Sequence, residues 1–351
     1  MDWIMLEMVD IANAERVAEY EDFVNSHPMG TFMQSLAWGR LKAVNGWKSA
    51  ALVSRDLEGR IAGSVLILMK KVPFFNKNLL YAPRGPLVDL EDLETFQELM
   101  EGVKRLAKRV HAYLFKMDPY VLEEDEGFSS MAKSVGFYLR PNQRDLTTIQ
   151  SRRNYMIDLT GKSAEDVLAG FHQKWRYNTR FAIRHGVECR SCGLEGLDEF
   201  YRLYAVTGER DAFVLRDKAY FRSLLEQFGE HARLYLCYYE GEAIAGAIAV
   251  QYGGKTCYVY GASGNEHRNV KPNYLMQWTM IQWAIESGFS TYDFQAVTFI
   301  EDPTSKYYGV YHFKSGFGGS VVTFAGEFDL IFSKFTYQMV NLGQKLLRSL
   351  H

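Results

Sequence analysis

Residues 174–187, KWRYNTRFAIRHGV, place Arg176, Arg180 and Arg184 at i, i+4 and i+8. On a helix that spacing makes one cationic stripe, flanked by Lys174 and Tyr177. Guanidinium groups in a row suit phosphates, and interleaved aromatic rings suit an RNA contact. The competing reading is an ordinary solvated helix face. Other chemical signatures fail on inspection. Gly161-Lys162-Ser163 looks like the end of a phosphate-binding loop, but the glycine required five places earlier is Met156. There is no HExxH, GxSxG or GxGxxG, and the eight histidines lack ligand spacing. Cys189 and Cys192 form one CxxC, but Cys237 and Cys257 stand alone, so the second half of a zinc ribbon is missing. The cysteines read as small hydrophobes, and no metal or organic cofactor is expected. Transferases and binding modules remain.

The chain that must position these residues has 351 amino acids, of which 47% are hydrophobic and 23% charged. That composition excludes a disordered or low-complexity protein and leaves room for two domains. Forty Lys and Arg balance 42 Asp and Glu, so phosphate binding has to come from a local patch. No apolar run approaches the roughly 18 to 20 residues of a membrane span. The first residues, with Asp2 and Glu7, do not read as a secretory leader, and a cytoplasmic location is expected.

An internal echo organises the chain. Glu58-Gly59-Arg60-Ile61-Ala62-Gly63-Ser64 returns, with a one-residue adjustment, as Glu240-Gly241-Glu242-Ala243-Ile244-Ala245-Gly246-Ala247. Both read as hairpin turns entering an apolar strand. A strand ending in Tyr81-Ala82-Pro83-Arg84-Gly85-Pro86, an amphipathic segment Glu91 to Arg109 and a strand from Ala112 to Met117 closing at Asp118-Pro119 follow the first. The strand Cys257 to Gly261, a helix near Asn273 to Glu286 and a strand near Thr291 to Phe294 follow the second. Two copies about 180 residues apart indicate tandem domains, not a solenoid. The boundaries read as 1–152 plus 325–351 for the first and 153–324 for the second. Ser163 and Asp166 offer a helix N-cap just after the boundary. Phe328 to Leu350 reads as one segment at helical spacing that packs back on the first domain or touches a membrane surface.

The repeated unit resembles the GNAT (acyl-CoA N-acyltransferase-like) fold, so the expected class is α/β (α+β), with mixed sheets flanked by helices. In that fold a glycine-rich turn before a helix cradles coenzyme A. Here the stretch is Asn265 to Asn273, without glycine and with Pro272, which points to another acyl donor. From the stripe onward the chain resembles the FemABX aminoacyl-tRNA-dependent peptidyltransferases of peptidoglycan cross-bridge formation. The likeness runs through Gln34-Ser35 to Trp38, Lys42 and Trp47, the YAPRGP of 81–86, Lys116-Met117-Asp118-Pro119, Asp158-Leu159-Thr160, Arg216 to Tyr220, and Tyr311-His312-Phe313-Lys314-Ser315-Gly316-Phe317-Gly318-Gly319. The long helical hairpin of larger members has no room between Gly186 and Tyr204, so the compact branch is the better match.

The resemblance implies transfer of an amino acid such as Gly, Ala or Ser from aminoacyl-tRNA to the stem-peptide amine of UDP-MurNAc-pentapeptide or lipid II, with no DNA partner. An amine with a pKa near ~10.4 is mostly protonated at neutral pH and needs a group to take or hold its proton. Asp118 is the candidate; its other reading is a turn cap before proline. By the same resemblance Lys314, read in a glycine-rich loop, stabilises the oxyanion, helped by the backbone at Phe313. Lys42, Arg84, Arg216 and Tyr220 fit the acceptor in a groove of the first domain, and Tyr260 orients the peptide or is a core tyrosine. Lys174, Arg176, Arg180 and Arg184 would meet the tRNA. An acyl-CoA-dependent N-acyltransferase and a non-catalytic tRNA- or precursor-binding protein stay open as alternatives.

Overall fold

The computed structural model describes residues 6–141, 143 and 145–349, with side chains described as far as 343; Asp2 and Leu350 lie outside the described residues. In chain order the strands are β1 (Glu7–Met8), β2 (Lys48–Arg55), β3 (Ile61–Lys71), β4 (Asn78–Arg84), β5 (Leu87–Val88), β6 (Ala112–Pro119) and β7 (Tyr138–Leu139). They continue as β8 (Arg153–Asp158), β9 (Glu188–Cys192), β10 (Ala232–Tyr239), β11 (Glu242–Tyr252), β12 (Lys255–Ser263), β13 (Thr291–Ala296), β14 (Ser320–Thr323) and β15 (Phe328–Ile331). The helices are α1 (Ala14–Ser26), α2 (Leu36–Ala43), α3 (Leu93–Arg109), α4 (Glu126–Ser134), α5 (Ala164–Gly170), α6 (Gln173–Arg184), α7 (Leu197–Asp211), α8 (Lys218–Phe228), α9 (Pro272–Glu286), α10 (Tyr308–Ser315) and α11 (Lys334–Ser349).

Two compact units result, Met1–Arg152 with Phe324–His351 (unit 1) and Arg153–Thr323 (unit 2). Each is a mixed sheet flanked by helices. The first sheet runs β1-β2-β3-β4-β6-β15-β7 with β5 beside β3, and the second β14-β8-β13-β12-β11-β10-β9. The echo in the sequence becomes an echo in topology. The hairpin β2–β3, β4, α3 and β6 have their counterparts in β10–β11, β12, α9 and β13, and β4/β6 and β12/β13 are the parallel pairs. A parallel pair needs a crossover, and α3 and α9 supply it. The apolar positions Phe96, Leu99, Met100, Val103, Leu106 and Ala107 recur at helical spacing and bury one face of α3. In α9, Leu275, Met276, Met280, Ile281 and Trp283 do the same, so its two tryptophans are core.

Two sequence expectations are corrected. Phe328 to Leu350 is not one helical segment: Phe328–Ile331 forms β15 between β6 and β7, and the helix starts at Lys334. The polar Asp329 that mimics a helical polar face is buried in the sheet, where Lys116 Nζ donates to it at 2.6 Å. Lys314 does not sit in a loop but in the last turn of α10, with the glycines following it.

Candidate active site

Lys314 is buried, and its ammonium donates to the main-chain oxygens of Phe294 and Ala296, each at 2.7 Å. Those oxygens are available because β13 and β8 lose register between Asp293 and Ala296, where Gln295 adopts a φ of 61°. An interrupted ladder leaves carbonyls that another donor must satisfy. Burial holds the Lys314 pKa down at about 8, against the opposing pull of the buried Asp293 carboxylate. Asp293 is itself fixed by Asn154 Nδ2 at 2.9 Å and by the main-chain N–H of Gln295 at 2.6 Å. An ammonium has three protons, and two are committed to the carbonyls. The third can be aimed at a substrate oxygen.

The run around Lys314 is sterically dictated. A Cβ on Gly316 would lie 2.1 Å from the Trp175 ring, and Gly318, at a φ of 78°, presses against the main chain of Gly170. Phe317 between them is buried. This seats α10 against the α5–α6 corner, where Trp175 Nε1 donates to Phe313 O at 2.8 Å. Tyr155 adds a second tie, its one hydroxyl proton shared between Gly319 O at 2.7 Å and Ser315 O at 2.9 Å. Trp175, Tyr155 and Asp293 are positioning residues that the sequence reading missed. Trp175 lies inside the KWRYNTR run, so its signal was present but was outshone by the charges around it.

Trp175 also couples Lys314's helix to the basic stripe, since it belongs to α6. Trp175, Asn178, Thr179 and Ala182 form the buried face of that helix, which leaves Lys174, Tyr177, Arg180, Ile183 and Arg184 exposed. Arg176 is different: its guanidinium donates to Ala169 O at 2.7 Å and to Phe171 O, so it clasps the α5–α6 corner. Arg176, Arg180 and Arg184 with Tyr177 line an open groove of about 680 Å³.

A second cavity of about 240 Å³ adjoins Phe313 and the N-terminus of α9, with Arg268, Lys271, Asn273, Tyr274 and Ser263 in its wall. The residue opening the helix is Pro272, so no N–H is wasted there. Nearby in unit 2, the Tyr260 hydroxyl donates to the Tyr220 hydroxyl at 3.3 Å, and the Arg216 guanidinium lies 4.7 Å above the Tyr220 ring. Tyr220 is buried and its pKa is raised, by burial first and by Tyr260 second, so its hydroxyl stays protonated.

Arg216 and Tyr220 belong to unit 2, and Lys42 and Arg84 belong to unit 1. In unit 1, Asp118 is buried at the end of β6. Its Oδ2 accepts from the Tyr81 hydroxyl at 2.7 Å and its Oδ1 from the Arg84 main-chain N–H at 2.8 Å. Burial raises its pKa to about 6, with the Arg84 charge opposing. Arg84, at a φ of 55°, donates through its side chain to Ser151 O at 2.6 Å and lies 4.2 Å above the Phe324 ring. Lys42 Nζ lies 4.2 Å above the Trp38 ring. Among the described residues no group of three or more His, Cys, Asp or Glu could hold a metal ion, and no helix is long and apolar enough to cross a membrane. None of the four cysteines forms a disulfide.

Comparison with known proteins adds three findings. The FemAB family model matches residues 16–243 and 238–345. The lipid II:glycine glycyltransferase of Staphylococcus aureus is 30% identical to this chain, over 95% of each sequence. That alignment spans 408 positions against 351 residues here, so the relative carries segments that this chain lacks. The crystal structure of FemX superposes with a TM-score of 0.88 at 27% identity, covering 95% of this chain and 99% of the other. A tandem GNAT protein from the clavulanic acid pathway, 12% identical with a TM-score of 0.55, shares the fold.

Proposed function

The chain belongs to the FemAB family, and from that premise we propose that it is an aminoacyltransferase that moves glycine from glycyl-tRNA to the stem-peptide amine of a lipid-linked peptidoglycan precursor. The observation that carries this reading is the end-to-end likeness to lipid II:glycine glycyltransferase, together with a buried, carbonyl-anchored Lys314 in the Tyr311–Gly319 run.

The reaction is direct aminolysis. The acceptor nitrogen bonds to the ester carbonyl carbon, whose oxygen becomes an oxyanion. The C–O bond to the ribose then breaks, the nitrogen gives up its proton, and the 3′ oxygen leaves as a hydroxyl. Lys314 donates its remaining N–H to the oxyanion in a site where little water screens it. Phe313 and Trp175 fix the helix that presents Lys314. The exposed Lys174, Arg180 and Arg184, with Arg176 at the corner, meet donor phosphates along the α6 groove. The cavity at the start of α9, with Arg268 and Lys271 in its wall, takes the 3′ end. Arg216, held above the Tyr220 ring, offers a cation to a polar or anionic substrate group, and the Tyr260–Tyr220 hydroxyl pair holds that ring in place. In unit 1, Lys42 and Arg84 are the acceptor-side cations. Asp118, ionised above about pH 6, is the proposed partner of the acceptor ammonium.

Incubation with a pool of charged tRNAs and either lipid II or UDP-MurNAc-pentapeptide, followed by mass spectrometry of the acceptor, tests this. One added glycine is expected. A different added residue would correct the donor, and acceptor left unmodified in both forms would overturn the transferase reading.

A further inference from the structure

One end of the unit 1 sheet is both aromatic and cationic. Register brings its parts together. Lys48 at the start of β2 pairs with Met69, and Asn78 at the start of β4 pairs with Ala112 at the start of β6. The N–H groups of Phe332 and Ser333 donate to Tyr113 O at 2.9 and 3.0 Å. The root of the β3–β4 hairpin and the start of α11 are therefore two strand spacings apart, roughly 10 Å. Asp118 and Arg84 lie at the opposite end of their strands.

At the tip of the β3–β4 hairpin Phe74 is fully exposed, at a φ of 65°. Phe332 is exposed at the entry to α11 and Phe335 is 69% exposed within it. Met339 and Leu342 continue the exposed apolar stripe at i+4 and i+7 from Phe335. Lys70 lies 5.3 Å above the Trp47 ring. The stretches forming this end, 44–48, 70–78, 108–111 and 332–335, hold Lys48, Lys70, Lys71, Lys77, Lys108, Arg109 and Lys334 and not one Asp or Glu. The sequence of α11 is likewise without an acidic residue. In a chain whose acids outnumber its bases, that segregation is not an average surface.

We propose that this end of unit 1 is a membrane-docking surface. The Phe rings enter the headgroup layer of an anionic bilayer, and the surrounding Lys and Arg meet its phosphates. Charge selects this occupant: a second copy docking the same face would set seven cations against seven, whereas an anionic leaflet complements them. The surface rests on the transferase reading only for its purpose, bringing the enzyme to a lipid-linked acceptor.

The full chain, without substrate, would be co-sedimented with vesicles of phosphatidylcholine and with vesicles of equal parts phosphatidylcholine and phosphatidylglycerol. Binding to the anionic vesicles is expected to be at least about tenfold tighter and to weaken as salt is raised. The double variant Phe74→Ser, Phe335→Ser should bind at least about tenfold more weakly. Its thermal melt and its transfer to a water-soluble acceptor should be unchanged, because both rings point into solvent. Equal binding to both vesicle types, or undiminished binding by the variant, would overturn the proposal. So would a dimer in light scattering that the double variant dissolves, which would give the surface to a second copy. Vesicle binding needs no turnover, so failure of the transferase reading leaves this outcome legible.

Discussion

Replacing Lys314 by Met removes the N–H proposed for the oxyanion and keeps most of the side-chain volume. Loss of one such donor costs about 3 to 4 kcal/mol of transition-state stabilisation, a fall in kcat of roughly a hundredfold to a thousandfold. The fold should survive. The Phe294 and Ala296 carbonyls lose their donor, at about 1 to 3 kcal/mol each. Against that, a buried ammonium whose pKa has dropped from 10.5 to about 8 no longer has to be accommodated, which returns about 3 kcal/mol. The pH profile separates this role from a structural one. Between about pH 6 and pH 8, with Asp118 ionised and Lys314 protonated, kcat/KM should rise about tenfold per pH unit as the acceptor amine, pKa near ~10.4, loses its proton. Above about pH 8 Lys314 deprotonates as fast as the amine does, and the profile should flatten. Single-turnover transfer from glycyl-tRNA, corrected for spontaneous ester hydrolysis, measures this. In Lys314→Met the break should vanish and the rise continue. A break that persists in the variant, or a wild-type rise that runs unbroken through pH 8, would refute the oxyanion assignment.

Reversing charge at Arg180 and Arg184 (R180E, R184E) should weaken tRNA binding and lower the slope of log affinity against log salt by roughly one to two, with the melting temperature unchanged, because both side chains are exposed. Gly316→Ala places a methyl 2.1 Å from Trp175; an overpacking loss of about 1 to 3 kcal/mol in denaturant unfolding, together with a fall in kcat, is expected as α10 shifts. Asp118, raised from 3.8 to about 6, favours the folded state fully below about pH 4 and loses that contribution as pH rises through 6. Wild type should therefore lose about 3 kcal/mol relative to Asp118→Asn over that range, measured by urea titration at each pH.

The parts of the fold that were legible in the sequence are those with strong local signals. Glu58-Gly59 and Glu240-Gly241 announce two hairpins because glycine at positive φ is what a tight turn needs. The Ser163 cap is observed as a full capping box with Asp166. β15 was illegible because its polar residue faces a buried lysine contributed by β6, more than two hundred positions away. Local periodicity cannot distinguish such a partner from water. Lys314 was misplaced for a similar reason: glycines suggest a loop, but here they clear space for Trp175 and the Gly170 main chain. Arg176, read as one of three equal stripe residues, turns out to bind carbonyls at a helix corner. Residue type revealed the chemistry on offer, while long-range contacts decided which groups remain available for it.

The most direct test follows radiolabelled glycine from glycyl-tRNA in the presence of lipid II, with ribonuclease-treated donor and an acyl-CoA donor run in parallel. Aminoacyl transfer predicts label on the stem peptide only with intact glycyl-tRNA, and its loss in Lys314→Met. Acylation of the acceptor from the acyl-CoA donor, with the glycyl-tRNA label left on the tRNA or released to water, would contradict it.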